Sequence, residues 1–213
     1  MVSQLRLRYH IRMAMNGFIT SDMEQAERHF EKALALHPYD DGISYNLAVV
    51  KIGRGDYEAA EGILLDGLAR LRDPYQMQRT LADLYYLWGK RDQALEYYTA
   101  CRKQRRGEGE LLRLRAEICR DEQAFSQAVE AASLYQRAVS IMQSDPHQAR
   151  EMLLQVVRLD PSHYLALNNI GTIHMNVLND YEGARSYFLQ SVALSEQPMV
   201  RKNLKLLEKA IHI

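Results

Sequence analysis

A constant step of 34 residues runs through this chain. One series of small residues keeps this step, and a second series, 12 residues further on, keeps it too. The first consists of Ala14, Ala48, Ala82 and Ala116, and the second of Ala26, Ala60, Ala94 and Ala128. Pairs of small residues at this period are typical of stacked helical hairpins, because two helices approach closely only where their side chains are small. The pattern favours a repeat protein whose surface binds a partner over an enzyme built around a pocket.

The bulk composition is balanced. Lys and Arg together number 27, as do Asp and Glu, so no overall field favours nucleic acid or a membrane surface. The two cysteines, Cys101 and Cys119, are too few for a disulfide framework, and we expect two buried, reduced thiols. The first residues form no secretory signal, and we find no run of about 18 apolar residues, so a cytoplasmic location is the default expectation.

Each repeat reads as two amphipathic helices joined by a turn. Apolar residues recur at i, i+3, i+4 and i+7 around each pair of small residues. In the second repeat, Ala48 lies on the first helix and Ala60 on the second. The segment 53–57 between them carries two glycines, and we predict that Asp56 caps the second helix.

The register breaks after Ala128. The next equivalent residue is Ala149, only 21 positions further on, and the segment 107–146 has room for two helices. We predict one helix over about 110–122 and a longer one over about 124–143. The longer helix would end the fourth repeat and begin the fifth as a kinked or fused unit. This divides the chain into 1–107 (three repeats), 108–146 (the irregular repeat) and 147–213 (further repeats and a capping helix).

The last segment, 200–211, predicts one more amphipathic helix. Leu204, Leu207 and Ile211 share one face, while four basic residues lie off that face. A polar-backed helix at this place fits the cap that solenoids need at their ends. The first helix of another repeat is the alternative.

These residues resemble the tetratricopeptide repeat family. The resemblance rests on a small residue, a Gly-Asp-Tyr-like turn, Ala, an aromatic residue, Ala and a closing Pro at this period. It is closest over 160–188, with Asp160-Pro161, Ala166, Asn168-Asn169-Ile170-Gly171, Asn179-Asp180-Tyr181, Ala184 and Phe188. The resemblance implies an all-α, right-handed α-solenoid of stacked helix-turn-helix repeats, here with an irregular central helix.

In this family the first helix of each hairpin lines the concave groove. Counting from the small residue of each first helix selects the candidate groove residues. They are Arg8, Ile11, Arg12, Met15, Phe18, Tyr45, Asn46, Val49, Gln76, Arg79, Asp83, Tyr86, Asn168, Asn169, Thr172 and Met175, to which the fifth repeat adds Tyr135, Val139 and Met142. Aromatic, Met and Arg side chains are enriched in interfaces, and an Asn amide can both donate to and accept from a peptide backbone. A Met or aromatic at helical spacing is equally compatible with a place in the core.

Some relatives hold the C-terminal carboxylate of heat-shock chaperones with a clamp of Lys, Arg and Asn over three repeats. Asn46 matches the middle of that clamp. Ile11, Met15, Gln76 and Thr80 stand where its other members are expected. Because the cations are missing, a carboxylate would lack charge-assisted partners. We therefore do not expect this chain to bind chaperone tails.

No catalytic or metal-binding motif stands out. The chain lacks His-Glu-x-x-His, Cys-x-x-Cys, a phosphate-binding Gly-rich loop and a Gly-x-Ser-x-Gly elbow. His163 and His174 are 11 residues apart, about three helical turns, which is too far to share one ion. The basic run 102–106 lies at the end of a predicted helix. We expect it to interact favourably with the C-terminal end of the helix dipole rather than to bind phosphate. We expect no catalytic residue, no metal and no cofactor.

The leading hypothesis is a non-catalytic scaffold or adaptor. It would bind a peptide or helix of a partner protein in the concave groove, without nucleic acid and without membrane insertion. Two alternatives stay open. The chain could be the recognition domain of a larger enzyme or signalling regulator, or the repeats of one molecule could fill the groove of the next.

Overall fold

The computed structural model describes residues 2–20, 22–71, 75–104, 109–195 and 198–211, and every regular element in these ranges is a helix. Within these ranges, six helices precede residue 105 and six follow it. The first six are α1 (Val2–Ile19), α2 (Met23–Leu36), α3 (Asp41–Gly53), α4 (Tyr57–Arg70), α5 (Tyr75–Trp88) and α6 (Arg91–Gln104). The others are α7 (Glu110–Arg120), α8 (Glu122–Ile141), α9 (Pro146–Leu159), α10 (Tyr164–Asn176), α11 (Tyr181–Leu194) and α12 (Pro198–Ile211). The expected all-α fold is confirmed.

Aspartates begin many of these helices. The residue before α4 is Asp56, and its carboxylate accepts a hydrogen bond from the backbone N–H of Ala59 at 3.4 Å, as predicted. The same arrangement begins five other helices, with the caps Asp22, Asp40, Asp121, Asp145 and Asp180. Each carboxylate satisfies a backbone donor that the first helical turn leaves open.

The chain divides into two compact units, Met1–Gln104 and Arg105–Ile213. In the first unit each helix packs on the next, from α1 to α6, and α3 also contacts α5. One of its core clusters joins α1, α2 and α3, and consists of Ala14, Ala26, Phe30, Ala33, Ile43, Leu47 and Val50. The alanines of the 34-residue step are fully buried here, so close helix contact explains their small size.

The second unit is built around α8. This helix is continuous over 20 residues and contacts α7 as well as α9. The bounds of α7 and α8 agree with the two helices that we predicted for 107–146. Ala131 and Ala138 of α8 lie in one core cluster with Leu153 of α9 and Ile170 of α10. The helix therefore contributes to two neighbouring pairs, as a fused unit would.

Two contacts of the second unit go beyond simple stacking. α7 touches α11, and its Arg115 donates a hydrogen bond from Nε to the Ser162 hydroxyl at 3.3 Å, in the turn between α9 and α10. At the other end of the unit α12 packs on α11 and α10, with Val200 and Leu207 buried. The predicted C-terminal helix is thus present. Of its apolar face, Leu207 is buried and Leu204 is half-buried, whereas Ile211 is 49% exposed.

Candidate partner-binding surface

The first helix presents the most accessible part of the predicted groove. Arg8, Arg12, Met15 and Phe18 of α1 are exposed, and Met15 and Phe18 keep 39% and 38% of their surface accessible. Ile11 is partly buried and packs against the core of the first unit. The helical spacing of these residues places two apolar side chains beside two guanidinium groups. Such a mixture is suited to an interface in which Arg and apolar anchors act together.

The structure brings together the predicted residues of α3 and α5. The Gln76 side-chain amide donates to the Tyr45 hydroxyl at 2.7 Å, and the Thr80 hydroxyl approaches the same oxygen at 3.5 Å. Tyr45, Asn46 and Val49 are half-buried, whereas Gln76 is exposed. Tyr45 is therefore held in place by its neighbour and keeps part of its ring accessible. Pre-orientation of this kind lowers the entropy that binding would cost.

Further along α5, the predicted residues face inwards. Tyr86 is buried, and its ring meets the buried Tyr98 edge to face with centroids 6.2 Å apart. The Tyr98 hydroxyl donates to the Asp83 carboxylate at 2.7 Å. Burial, together with the Asp83 charge, raises the pKa of the Cys101 thiol to about 11, so it stays protonated at neutral pH. This end of α5 anchors α6, and Arg79 beside it is half-buried.

In the second unit, the predicted Asn residues of α10 differ from each other. Asn169 is half-buried and donates from its amide to the Tyr135 hydroxyl of α8 at 3.2 Å. Asn168 is only 2% exposed, and its amide oxygen accepts from Asn203 of α12 at 3.1 Å. Thr172 is half-buried and donates to the Asn168 backbone carbonyl. Asn169 and Thr172 keep accessible surface, while Asn168 ties α10 to α12.

The remaining predicted residues of this unit differ in burial. Met175 is half-buried and packs on the cluster that Phe188 and Leu207 share. Met142 follows α8 and is half-buried against the core, whereas Val139 is exposed at 39%. The accessible predicted residues of the second unit are therefore fewer and more polar than those of α1.

A buried polar network that the sequence did not reveal lies at the turn between α9 and α10. The Asp160 carboxylate accepts from the Ser162 backbone N–H at 2.9 Å and from its hydroxyl at 2.6 Å. His163 caps α10 by accepting a hydrogen bond from the backbone N–H of Ala166 at 3.2 Å. Its ring lies tilted against the Tyr135 ring, with centroids 4.4 Å apart. Burial lowers the pKa of His163 to about 4, against the opposing effect of Asp160. The cap thus requires a neutral imidazole.

A second network surrounds His174 at the end of α10. Arg150 donates from Nε to His174 Nε2 at 3.0 Å, and His174 Nδ1 lies 2.7 Å from the Asp180 carboxylate. Because Arg can only donate, His174 Nε2 accepts this hydrogen bond, and Nδ1 donates to the Asp180 carboxylate. A Cβ on Gly183 would lie 2.6 Å from that ring, so the glycine makes room for the pair. Both networks hold helices in place rather than offering a reactive group to solvent.

A group of ion pairs lies between α2 and α3 in the first unit. Lys51 contacts Glu27 and lies 3.3 Å from Asp56, while Arg54 lies 3.0 Å from Glu27. The hydrogen bond to Glu27 raises the pKa of Lys51, so this amine stays charged. These groups join α2, α3 and the α3–α4 turn. Of the basic run 102–106, Arg102 and Lys103 lie in the last turn of α6, and 105–106 lie outside the described residues.

The described ranges contain neither a cluster of metal ligands nor a membrane-spanning helix. No three His, Cys, Asp or Glu side chains in them gather as the ligands of a metal ion would. Nor does any helix in them combine the length and the apolar character that crossing a membrane requires.

We compared the sequence and the structure with those of known proteins and protein families. Two profiles described as tetratricopeptide repeat match residues 19–84 and 143–197. No curated protein matches the sequence significantly. A tetratricopeptide repeat protein of Parabacteroides merdae superposes with a TM-score of 0.50 at 12% identity, covering 96% of this chain and 99% of the other.

Two further solved structures are similar at lower scores. The P58(IPK) TPR domain gives a TM-score of 0.49 at 14% identity, and the match covers 97% of this chain and 66% of the P58(IPK) chain. The TPR2AB domain of yeast Sti1, solved as a complex with pHSP90, gives 0.48 at 16% identity, with coverages of 96% and 84%. This chain therefore spans about two thirds of the first of these structures. The repeated alanines, the helical pairs and the two matching profiles together show that the chain belongs to the tetratricopeptide repeat family.

Proposed function

We propose that this protein is a non-catalytic scaffold that binds a segment of a partner protein on the first-helix wall of its first unit. We define this wall as the accessible surface of Arg8, Arg12, Met15 and Phe18 on α1, with Tyr45, Asn46 and Val49 on α3 and Gln76 on α5. Repeats of this family generally mediate protein–protein interaction. The observation that carries the proposal is the exposure of Met15 and Phe18 on the helix that also carries two exposed arginines.

The chemistry of the wall indicates the kind of segment it would bind. Met and Phe offer apolar area, and the two guanidinium groups of α1 can pair with carboxylates. Asn46 and Gln76 can pair with both the N–H and the C=O of a backbone. A segment with alternating apolar and acidic residues would satisfy all three. Of the predicted groove residues in the second unit, Asn169 and Thr172 are polar and half-buried, so the proposal is confined to the first unit.

We still expect that this chain does not bind the C-terminal tails of chaperones. Gln76, where a cation would be needed, is bonded to Tyr45, and the Thr80 hydroxyl donates to the Gln76 backbone carbonyl at 2.9 Å. Neither group supplies positive charge, and the two arginines of the wall, Arg8 and Arg12, stand at none of the clamp positions. We expect a chaperone C-terminal peptide to bind no more tightly than the same peptide with an amidated C-terminus, as fluorescence anisotropy would measure. Clear preference for the free carboxylate would contradict this.

A pull-down experiment tests the proposed wall. The variant Met15→Ala/Phe18→Ala removes two exposed side chains of α1. Leu36→Ala/Leu65→Ala removes side chains of matched exposure, 39% and 40%, on α2 and α4. We expect partners that wild type recovers to be lost with the first pair and kept with the second. Equal recovery by both variants would show that the wall is not the site.

In the alternative hypothesis, the chain is the recognition domain of a larger enzyme or regulator. The same wall would then bind the partner, but as part of a longer protein. This hypothesis predicts the same binding, but a gene product that continues into a further domain. Mass spectrometry of the endogenous protein separates the two: a mass of 24.6 kDa, that of these 213 residues, leaves only the scaffold.

A further inference from the structure

Two histidines meet between the first two helices. His10 of α1 and His29 of α2 place their Nδ1 atoms 2.9 Å apart, although 19 residues separate them in the chain. His29 is 7% exposed and His10 is half-buried, so solvent reaches the pair from one side. Tyr9 lies edge-on to both rings, with centroid distances of 5.3 Å and 5.9 Å. The first-helix wall does not include either histidine.

The distance between the two nitrogens is informative. Two ligands at about 2.0 Å from one metal ion lie about 2.8 Å apart when they are cis in a square-planar arrangement, and about 3.3 Å apart in a tetrahedral one. The observed 2.9 Å is near the first value. Square-planar and tetragonal geometry with nitrogen and oxygen ligands is preferred by Cu²⁺ and Ni²⁺. The distance between the two Nδ1 atoms is thus compatible with a hydrogen bond in the free protein and with two cis ligands of one metal ion.

We propose that His10 and His29 form a two-histidine site for a divalent transition-metal ion with tetragonal preference, Cu²⁺ above Ni²⁺. In the free protein one ring donates its Nδ1 proton to the other. On binding, that proton moves through solvent to Nε2 of the same ring, and both Nδ1 lone pairs turn to the ion. No net proton is released. Water molecules complete the coordination, because the described residues offer no third His, Cys, Asp or Glu at this place.

The surroundings set the strength of binding. Burial lowers the pKa of His29, and the nearby charges of Arg28 and Lys32 lower it further. The same two cations oppose a bound divalent ion. With two protein ligands and this opposition, affinity falls in the range of an exchangeable site rather than a permanent structural one. Among divalent ions Cu²⁺ should bind most tightly.

An ion at this place would join two helices. His10 lies two residues before Arg12 on α1, and the bridge to α2 would fix the helix that carries the most accessible part of the wall. Because the ion binds only the folded hairpin, it should raise the midpoint of thermal unfolding as its free concentration exceeds the dissociation constant.

Calorimetric titration of the whole protein with CuCl₂ in a non-coordinating buffer tests the proposal. Wild type should bind one equivalent. His10→Gln and His29→Gln should each weaken binding about tenfold or more. The double variant His37→Gln/His147→Gln removes two exposed single histidines and should bind as wild type does. Electron paramagnetic resonance of the bound Cu²⁺ should show coupling to two imidazole nitrogens in wild type and to one in each His10 or His29 variant.

Three results would overturn the proposal. One is no binding of Cu²⁺ to the wild type. Another is binding that His10→Gln leaves unchanged. The third is binding lost only in the His37/His147 variant, which would mark an adventitious surface ion. His10 is half-buried and should tolerate Gln, so His10→Gln decides the matter if circular dichroism shows that His29→Gln does not fold.

Discussion

Single side chains decide how closely the helices of this chain approach. Gly171 of α10 lies against Phe188 of α11, and an added Cβ would come within 2.7 Å of that ring. The Phe188 side chain is fully buried and cannot move away cheaply. The alanines of the 34-residue step act in the same way, which is why side-chain size alone reveals the repeat.

We expect Gly171→Ala to destabilise the protein by about 1–3 kcal/mol, because the methyl group forces the α10–α11 contact apart. Gly62→Ala is the matched control. Gly62 is exposed within α4, a Cβ added there would have nothing within 4 Å, and alanine should stabilise by about 0.5–1 kcal/mol. Urea denaturation followed by circular dichroism measures both. Equal stability of the two variants would contradict the packing argument.

His163 gives the second unit a defined response to pH. Its pKa is lowered from 6.5 to about 4 in the folded state, chiefly by burial, so the unfolded chain binds the proton more readily. The stability that the neutral ring contributes is complete above pH 6.5 and is lost as pH falls towards 4. The upper limit of the loss is about 3 kcal/mol.

His163→Asn should remove that pH dependence. Asn is a good helix cap, so the variant keeps the cap without a titrating group. We expect the wild type to lose more stability than the variant between pH 7 and pH 4.5 in parallel urea titrations. Parallel pH profiles for the two proteins would show that His163 is not the responsible group.

At the scale of the element, α8 is the irregular part of the repeat. This helix of 20 residues packs against both α7 and α9, so a break in its middle should affect both contacts. Ser133→Pro, at an exposed position inside α8, removes one helical hydrogen bond and clashes with the preceding turn. We expect a loss of about 3 kcal/mol or more.

Glu122→Pro is the control for that substitution. Glu122 is the first residue of α8, where proline is tolerated, and Asp121 before it already has the extended backbone that proline requires, at φ −103° and ψ 118°. Circular dichroism in urea should place its midpoint close to that of wild type. If Ser133→Pro is no less stable than Glu122→Pro, α8 does not need to be continuous.

Element boundaries could be predicted from the sequence, and the polar networks could not. The spacing around Ala128 and Ala149 left room for two helices, and both appear near the expected residues. In contrast, His10 meets His29 over 19 residues, and Arg115 meets Ser162 over 47. Helical periodicity determines which face of a helix is apolar, but not which polar side chains of two helices lie at the same height. Tyr86 and Asn168 were selected by the same periodicity, and the fold buries both.

At the scale of the whole molecule, the described contacts give each unit a core of its own. The sequence suggested a boundary at residue 146, but Ala131 and Ala138 of α8 lie in one cluster with residues of α9 and α10. We therefore expect a fragment of residues 109–213 to fold and a fragment of 147–213 to be largely unfolded, because the latter loses α8. Circular dichroism and thermal denaturation of both fragments check this, and cooperative unfolding of 147–213 would contradict it.

The central claim is that a partner segment binds the first-helix wall, and site-specific photo-crosslinking tests it most directly. A photoreactive phenylalanine analogue would replace Phe18 on α1 in one variant and Leu36 on α2 in another, at exposures of 38% and 39%. We predict that the partner is crosslinked from position 18 and not from position 36. Crosslinking from position 36 alone, or equally from both positions, would contradict the assignment of the binding surface.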